Sequence, residues 1–356
     1  MSETRLPVLD HASDLYAHFP SGWFVLARSK EVPRGAVLTK RLAGRDVVLF
    51  RTESGVLSAI EPYCAHMGAH LGHGGCVKGE TIECPFHAFR FAADGTCVAS
   101  GYGSPPPPKA RQRTYSVCER HGEILVWHGN AGEAPWFEVP EVDTTGWMEP
   151  AFVVEPLRGH PQETSENSVD MGHLPVVHGY SEIKILRELH TEPGYLSVQY
   201  AMRRPYLPGH PVLGRAYAEF FIHVYGLGYS RVEVSLPELG LRTRHFVFAT
   251  PTDREQLALH MGFSFEKVKT PLPRALTRLP LGILHRAARE IGIRAFVHDV
   301  KQDFHIWRNK RYVHPPQLAV GDGPIGAYRR WCKQFYPALA GPTGATSRDD
   351  TPRTAE

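Results

Sequence analysis

A chain of 356 residues with 42% hydrophobic, 22% charged and 10% aromatic side chains has room for two domains, or one large one, and the balance of a globular protein. Disordered, fibrous and low-complexity classes are excluded. Forty Lys and Arg against 37 Asp and Glu leave a formal charge of +3, too small for binding nucleic acid by phosphate neutralisation. Residues 1–10 form no apolar signal core, and no uncharged apolar run reaches the roughly 18 residues of a membrane span. A cytoplasmic location with six reduced cysteines is expected.

In chain order, residues 22–127 read as short strands at 23–27, 37–42, 47–50, 56–60 and 124–128. Each is rich in Val, Leu and aromatics and is bounded by turns such as Glu53-Ser54-Gly55 and Ala93-Asp94-Gly95. The four prolines at 105–108 form a stiff connector. A loop of Pro, Gly and acids follows at 133–150. Residues 161–178 look partly helical, and about five longer strands fill 195–265, including 216–225, 230–236 and 245–250. Alternation at Val232, Val234 and Leu236 implies an antiparallel sheet with one face covered. Residues 274–311 read as one or two helices interrupted near Pro280 and Gly292, and 341–356 as a disordered tail. The boundaries expected are a first domain at 20–135 and a second at 146–338.

In the first domain, Cys64-Ala65-His66 is followed by Cys84-Pro85-Phe86-His87. Each loop offers one Cys and one His. Two Cys and two His can hold zinc, but zinc fingers pair like ligands, so the Cys-x-His spacing suits them poorly. A Rieske 2Fe-2S cluster needs two Cys on one iron and two His on the other, which two equivalent loops supply. Gly68, Gly72, Gly74 and Gly75 let the first loop bend tightly. The segments CAHMGAHLGHGG and CPFHAFRFAADGTC resemble the cluster loops of Rieske proteins, with Ala88 and Phe89 where ring-hydroxylating members more often carry Gly-Trp. The resemblance assigns the cluster to Cys64, His66, Cys84 and His87. His70 and His73 then read as polar loop residues, and Cys76, Cys97 and Cys118 as packed or surface thiols.

Around position 170 the chain reads ENSVDMGHLPVVHGY. His173 and His178 would lie about 140° apart on an unbroken helix, and Pro175 between them calls for a kink that could turn both inward. Two His and one carboxylate occupy one face of an iron(II) ion and leave positions open for dioxygen and substrate. The late segment FVHDVKQDFHIWRNKRY offers Asp299 and Asp303 on one side of a helix, and either could reach the metal. The pattern Asn-x-x-Asp-x-x-His-x4-His resembles the catalytic segment of Rieske non-haem iron oxygenases, and that resemblance selects Asp303. It also implies that Asp170 bridges the iron site to a cluster histidine, His66 or His87, of a neighbouring subunit. Asn167 is a second-layer or structural candidate.

The resemblance spans residues 20–337. The segments FVFATPTD, QDFHIWRNKRY and GDGPIGAYRRWCKQFY are similar to the oxygenase component of bacterial 3-ketosteroid 9α-hydroxylase and to animal cholesterol 7-desaturases. The desaturases carry an N-terminal membrane segment that is absent here, which favours a bacterial type. The class implied is α+β: an all-β Rieske domain, then a helix-grip catalytic domain with a large antiparallel sheet. The activity implied is hydroxylation or desaturation of a steroid- or sterol-like substrate with O2. The alternatives are an aromatic or alkaloid substrate, oxidative sterol demethylation, or a Rieske electron carrier without enzyme activity. A separate NADH-dependent flavin and iron-sulfur reductase, or a ferredoxin, and a homotrimer are further implications. The arginines among apolar residues at 269–294 read either as a solvated helix face or as a peripheral membrane contact.

Overall fold

The computed structural model describes Leu15 and residues 18–205, 215–267 and 280–336. Its first half contains β1 (Gly22–Arg28), β2 (Val37–Leu42), β3 (Arg45–Arg51), β4 (Leu57–Ile60), β5 (Cys76–Lys78), β6 (Thr81–Glu83), β7 (Arg90–Ala92), β8 (Cys97–Ala99), β9 (Thr114–Tyr115), β10 (Val117–Arg120) and β11 (Glu123–His128). They form three small sheets, ordered β1-β11-β10, β2-β3-β4-β9 and β5-β6-β7-β8. The last of these sheets carries the two Cys-His loops at one end, between β4 and β5 and between β6 and β7.

The second half contains β12 (Ala151–Arg158), α1 (Pro161–Glu166), α2 (His173–Val177), β13 (Ser181–Glu192), β14 (Tyr195–Pro205), β15 (Arg215–Tyr225), β16 (Tyr229–Leu236), β17 (Leu241–Asp253), β18 (Gln256–Phe265), α3 (Leu281–Asn309) and α4 (Ile325–Cys332). The seven strands make one antiparallel sheet in the order β12-β18-β17-β16-β15-β14-β13. Its topology positions the site. The chain leaves β12 at one edge and enters β13 at the other, so α1 and α2 must cross a face of the sheet. Five successive hairpin connections then bring the chain back to β12, and α3 packs on β18 and β12.

Alternation along each strand separates the two faces. On β17, Phe246 and Phe248 join a core with Tyr229 and Val198 that also contains Trp23, Val25, Leu125 and Trp127 of the first half. The Thr250 hydroxyl donates to the Val25 carbonyl at 2.6 Å, which ties this face to β1. Val247 and Ala249 point the other way, toward the helices. One sheet thus seals two hydrophobic cores.

The structure adds to the sequence expectations the short strands β5 to β10 and helix α4, and it refines or departs from them at several further places. Strands β12 and β13 lie outside the predicted set because both are edges. Pro156 can sit in β12 since an edge strand need not donate every amide, and β13 is largely exposed and irregular in register, so its polar sequence hides it. The partly helical stretch is two short helices, with Pro175 in the first turn of α2, where no amide is needed. Helix α3 runs unbroken through Gly292. There the missing side chain admits the Phe263 ring, since a Cβ would lie 2.2 Å from its Cε1. Residues 274–279 and 341–356 lie outside the described residues. The outer face of α3 mixes exposed Leu281, Ile283 and Ile291 with exposed Arg286 and Arg294.

Gly292→Val should therefore lower stability by about 2 kcal/mol through overpacking against Phe263. Gly282→Ala on the same helix, where a Cβ meets nothing within 4 Å, should be neutral or stabilising. Thermal unfolding followed by circular dichroism compares the two, and equal midpoints would contradict this packing.

Candidate metal centres

The two Cys-His loops have the same backbone hydrogen bonds. The Cys64 amide donates to Ala69 O and the Gly68 amide to Cys64 O, both at 2.8 Å; in the second loop Cys84 donates to Phe89 O at 2.8 Å and Ala88 to Cys84 O at 3.1 Å. The residue four positions after each cysteine is left-handed, with φ of 76° at Gly68 and 52° at Ala88. This is why glycine suits that position and why Ala88 is strained there. Cys64 and Cys84 are both buried. Burial pushes the Cys64 thiol up to about 11, the amide of His66 partly offsets this, and the adjacent Cys84 adds to the rise. Two buried thiols side by side are unfavourable as free thiolates and suited to a shared metal charge. The His66 and His87 rings meet edge to face at 4.8 Å, and His66 stacks on Phe89 at 4.1 Å. This donor set of two sulfurs and two imidazoles fits a Rieske cluster.

Gln112 clamps the first loop from a distant part of the chain. Its Oε1 accepts from the Ala65 amide, while its Nε2 donates to Glu61 O and Tyr63 O. His70 is tied to the Gly72 amide and lies 3.4 Å from Asp46, which gives it a loop-holding task. Around the loops stand Tyr63, Met67, Phe86 and Tyr102, each at least 60% exposed.

The second constellation also assembles. His173 opens α2, His178 caps its C-terminus, and Asp303 reaches in from α3. A ligand atom from each lies within 4.8 Å of the others. Nδ1 of His178 donates to Gln302 Oε1 at 3.1 Å, so Nε2 faces Asp303, 3.4 Å away. Burial opposes a charge on His178, but Asp299 and Asp303 outweigh it and lift its pKa to about 10. The site thus favours a positive charge at this point, which a metal ion supplies. Nδ1 of His173 is buried without a hydrogen bond among the described residues. Two imidazoles and one carboxylate converging in this way fit an iron(II) site with open positions.

Asp299, one turn before Asp303, stands beside this cluster. Its carboxylate accepts from Tyr180 at 2.5 Å, lies 3.8 Å from Arg204 and sits 3.6 Å from His178 Nδ1. Burial would raise its pKa, yet these partners hold it below the usual range. Asp170 accepts from the His173 amide at 3.3 Å and lies 3.6 Å from His173 Nδ1. Burial pushes its carboxyl up, but the His173 ring and amide outweigh it and keep the pKa low. Asn167 caps α1 and lines a cavity that opens on His173, His178 and Asp303. The cavity holds about 170 Å³, and its walls include Phe220, Ile222, Val232, Val247, Phe296 and Trp307.

Residues 126–336 match the family described as the 3-ketosteroid 9α-hydroxylase C-terminal domain, and residues 22–116 match the Rieske [2Fe-2S] domain. The chain belongs to the Rieske non-haem iron oxygenases. It is 31% identical to the probable 3-ketosteroid-9-alpha-monooxygenase, oxygenase component, of Rhodococcus rhodochrous, over 89% of this chain and 80% of that one. It is 30% identical to cholesterol 7-desaturase nvd of Bombyx mori, over 91% of this chain and 71% of that one. Dicamba monooxygenase bound to dicamba superimposes with a TM-score of 0.65 at 18% identity, covering 89% of this chain and 97% of that one. The oxygenase is thus an oxidoreductase with a Rieske 2Fe-2S cluster and a mononuclear non-haem iron. No helix among its described residues is long and apolar enough to cross a membrane.

Four residues of the oxygenase site had no reading in the motifs: Gln112, Tyr180, Arg204 and Gln302. They act from separate elements, and only Tyr180, two residues after His178, and Gln302, beside Asp303, carry a local signal. Ala88 yields a direct test of the loop geometry. Ala88→Gly should raise stability by about 1 kcal/mol, and Ala88→Val should lower it by a similar amount or more. Thermal midpoints of the cluster-loaded protein, with the cluster's visible absorption as the probe, check the order Gly, Ala, Val.

Proposed function

We propose that this oxygenase hydroxylates or desaturates a steroid- or sterol-like substrate, with its cluster on Cys64, His66, Cys84 and His87 and its iron on His173, His178 and Asp303. The observation that carries the reading is the convergence of those last three groups on the wall of a largely apolar cavity. When bound, the two centres supply electron transfer and dioxygen activation toward a C–H bond. The chain's own residues prepare that chemistry. Gln302 fixes which nitrogen of His178 faces the cavity, and Tyr180 and Arg204 hold Asp299 charged beside it. The apolar walls exclude water and orient an apolar skeleton.

A separate reductase delivers the electrons, an NADH-dependent flavin and iron-sulfur protein or a ferredoxin, as the designation of the Rhodococcus relative as an oxygenase component suggests. Asp170 bridges to His66 or His87 of a second copy in a homotrimer, with Asn167 supporting the segment from the cavity side. In favour of this, Asp170 is one-third exposed, and the apolar rim around the cluster suits a protein surface. The absence of a disulfide among the six cysteines, four of them outside the proposed cluster, accords with a reducing cytoplasm. One observation favours a smaller aromatic or alkaloid substrate. The cavity of about 170 Å³ is below the roughly 300–1,000 Å³ usual for ligand sites, so a four-ring skeleton must widen it on entry. The dicamba-bound neighbour and NdmA of Pseudomonas putida CBB5, solved with caffeine, hold ligands of that smaller class.

Metal analysis tests the assignment of ligands. The reconstituted oxygenase should bind about three irons and two acid-labile sulfides per chain. Asp303→Ala should lose about one iron and keep the Rieske electron paramagnetic resonance signal, whereas Cys84→Ser should lose that signal. Retention of all iron in Asp303→Ala, or zinc in place of the cluster, would contradict the proposal.

A further inference from the structure

One polar side chain on the cavity wall takes no part in either metal site. His245 stands on β17 between Thr243 and Val247 in the row that faces α3, opposite Val232 on β16 and Phe263 on β18. Its ring lies 4.4 Å from that of Phe296 and 5.5 Å from that of Phe263, and it is only 7% exposed. Nε2 is 3.0 Å from the Thr243 hydroxyl, while Nδ1 has no hydrogen bond among the described residues. A half-satisfied imidazole among aromatic and aliphatic groups is costly unless something else completes it.

Among the other polar side chains of the cavity, Thr164 and Ser165 are engaged, whereas Asn167, Ser168 and Ser230 line it without a side-chain hydrogen bond among the described residues. The Thr164 hydroxyl donates to Pro161 O, and Ser165 pairs with Tyr328. Ser230 lies diagonally across from His245, since it pairs with Val247 in the sheet. Arg204 is not part of the cavity lining and lies 3.8 Å from the Asp299 carboxylate. We infer that His245 recognises an uncharged oxygen of the substrate, a ketone or a hydroxyl, and so orients the skeleton in the cavity; this rests on the steroid-like reading above. Thr243 can give or accept a hydrogen bond, so either tautomer of His245 satisfies it. One tautomer presents Nδ1–H to a ketone, and the other presents the Nδ1 lone pair to an alcohol. Burial, with the charge of Arg204 nearby, pushes the ring's pKa down to about 3 and keeps it neutral, which disfavours a carboxylate as its partner.

The test is titration calorimetry on iron-loaded, oxidised protein. The probes share one steroid skeleton: a monoketone on ring A, a monoketone on ring D, a ring-A monoalcohol and the parent hydrocarbon, with benzoate as a charged aromatic control. The wild type should bind at least one oxygenated steroid about tenfold or more tighter than the hydrocarbon. His245→Phe and His245→Leu, two apolar replacements of different volume, should each reduce that preference to under about threefold while still binding the hydrocarbon; Rieske absorption verifies that they fold. His245→Gln, which retains a donor and an acceptor, should keep part of the preference. No preference in the wild type, or one that persists in the variant that folds, would overturn the inference. An equal loss of affinity for all steroids would also overturn it. If benzoate binds and no steroid does, the steroid reading fails and this inference falls with it, an outcome distinct from steroid binding without oxygen discrimination.

Discussion

Two carboxylates one helical turn apart, the half-buried Asp299 and the buried Asp303, share a single imidazole, His178, and the second constellation is built around their charge. Without positive charge among them the carboxylates would repel each other in a medium of low dielectric constant. The protein divides the task. Asp299 takes Tyr180 and Arg204 and remains an anion that positions the outer edge of His178, whereas Asp303 turns to the inner edge, where His173 also presents a ligand atom. One carboxylate thus orients a histidine, and its neighbour is left free for the role proposed for it as a metal ligand.

The sheet makes that division geometrically possible. Because the chain crosses from β12 at one edge to β13 at the other, the segment bearing Asn167, Asp170, His173 and His178 lies over one face, under the same cover as α3. The opposite face is sealed by the first domain through Trp23, Val25 and the bond from Thr250 to Val25. A period-two strand can serve both sides at once: on β17, Phe246 and Phe248 build the inter-domain core, while His245 and Val247 line the cavity. A register slip of one residue would exchange these sets and lose both.

Much of this was legible before the fold. The paired Cys-x-His and Cys-x-x-His loops announce two equivalent half-sites, and the structure gives them matching hydrogen bonds around Cys64 and Cys84. The five strands of 195–265 follow from their alternation. What stayed hidden has physical reasons. Edge strands β12 and β13 lack the buried period that marks a strand, and Gly292 looks like a helix break because close approach by Phe263 leaves no trace in a single sequence. Asp299 and Asp303 are equivalent by helical spacing alone. Only their partners, Tyr180 and Arg204 against His173 and His178, separate them, and those come from other elements. His245 sits in plain view in an apolar row, yet its open Nδ1 becomes evident only when the cavity is built.

In the proposed reaction, electrons stored at one site are used at the other on a molecule in the apolar cavity. A single turnover tests this without the natural reductase: the protein with both centres loaded is reduced chemically under anaerobic conditions, mixed with O2 and a 3-ketosteroid or sterol, and quenched for mass spectrometry. The expected result is a steroid product that gains one oxygen or loses two hydrogens, formed as the Rieske cluster is oxidised. Cluster oxidation with no change in any steroid, alongside conversion of a simple aromatic acid, would contradict it.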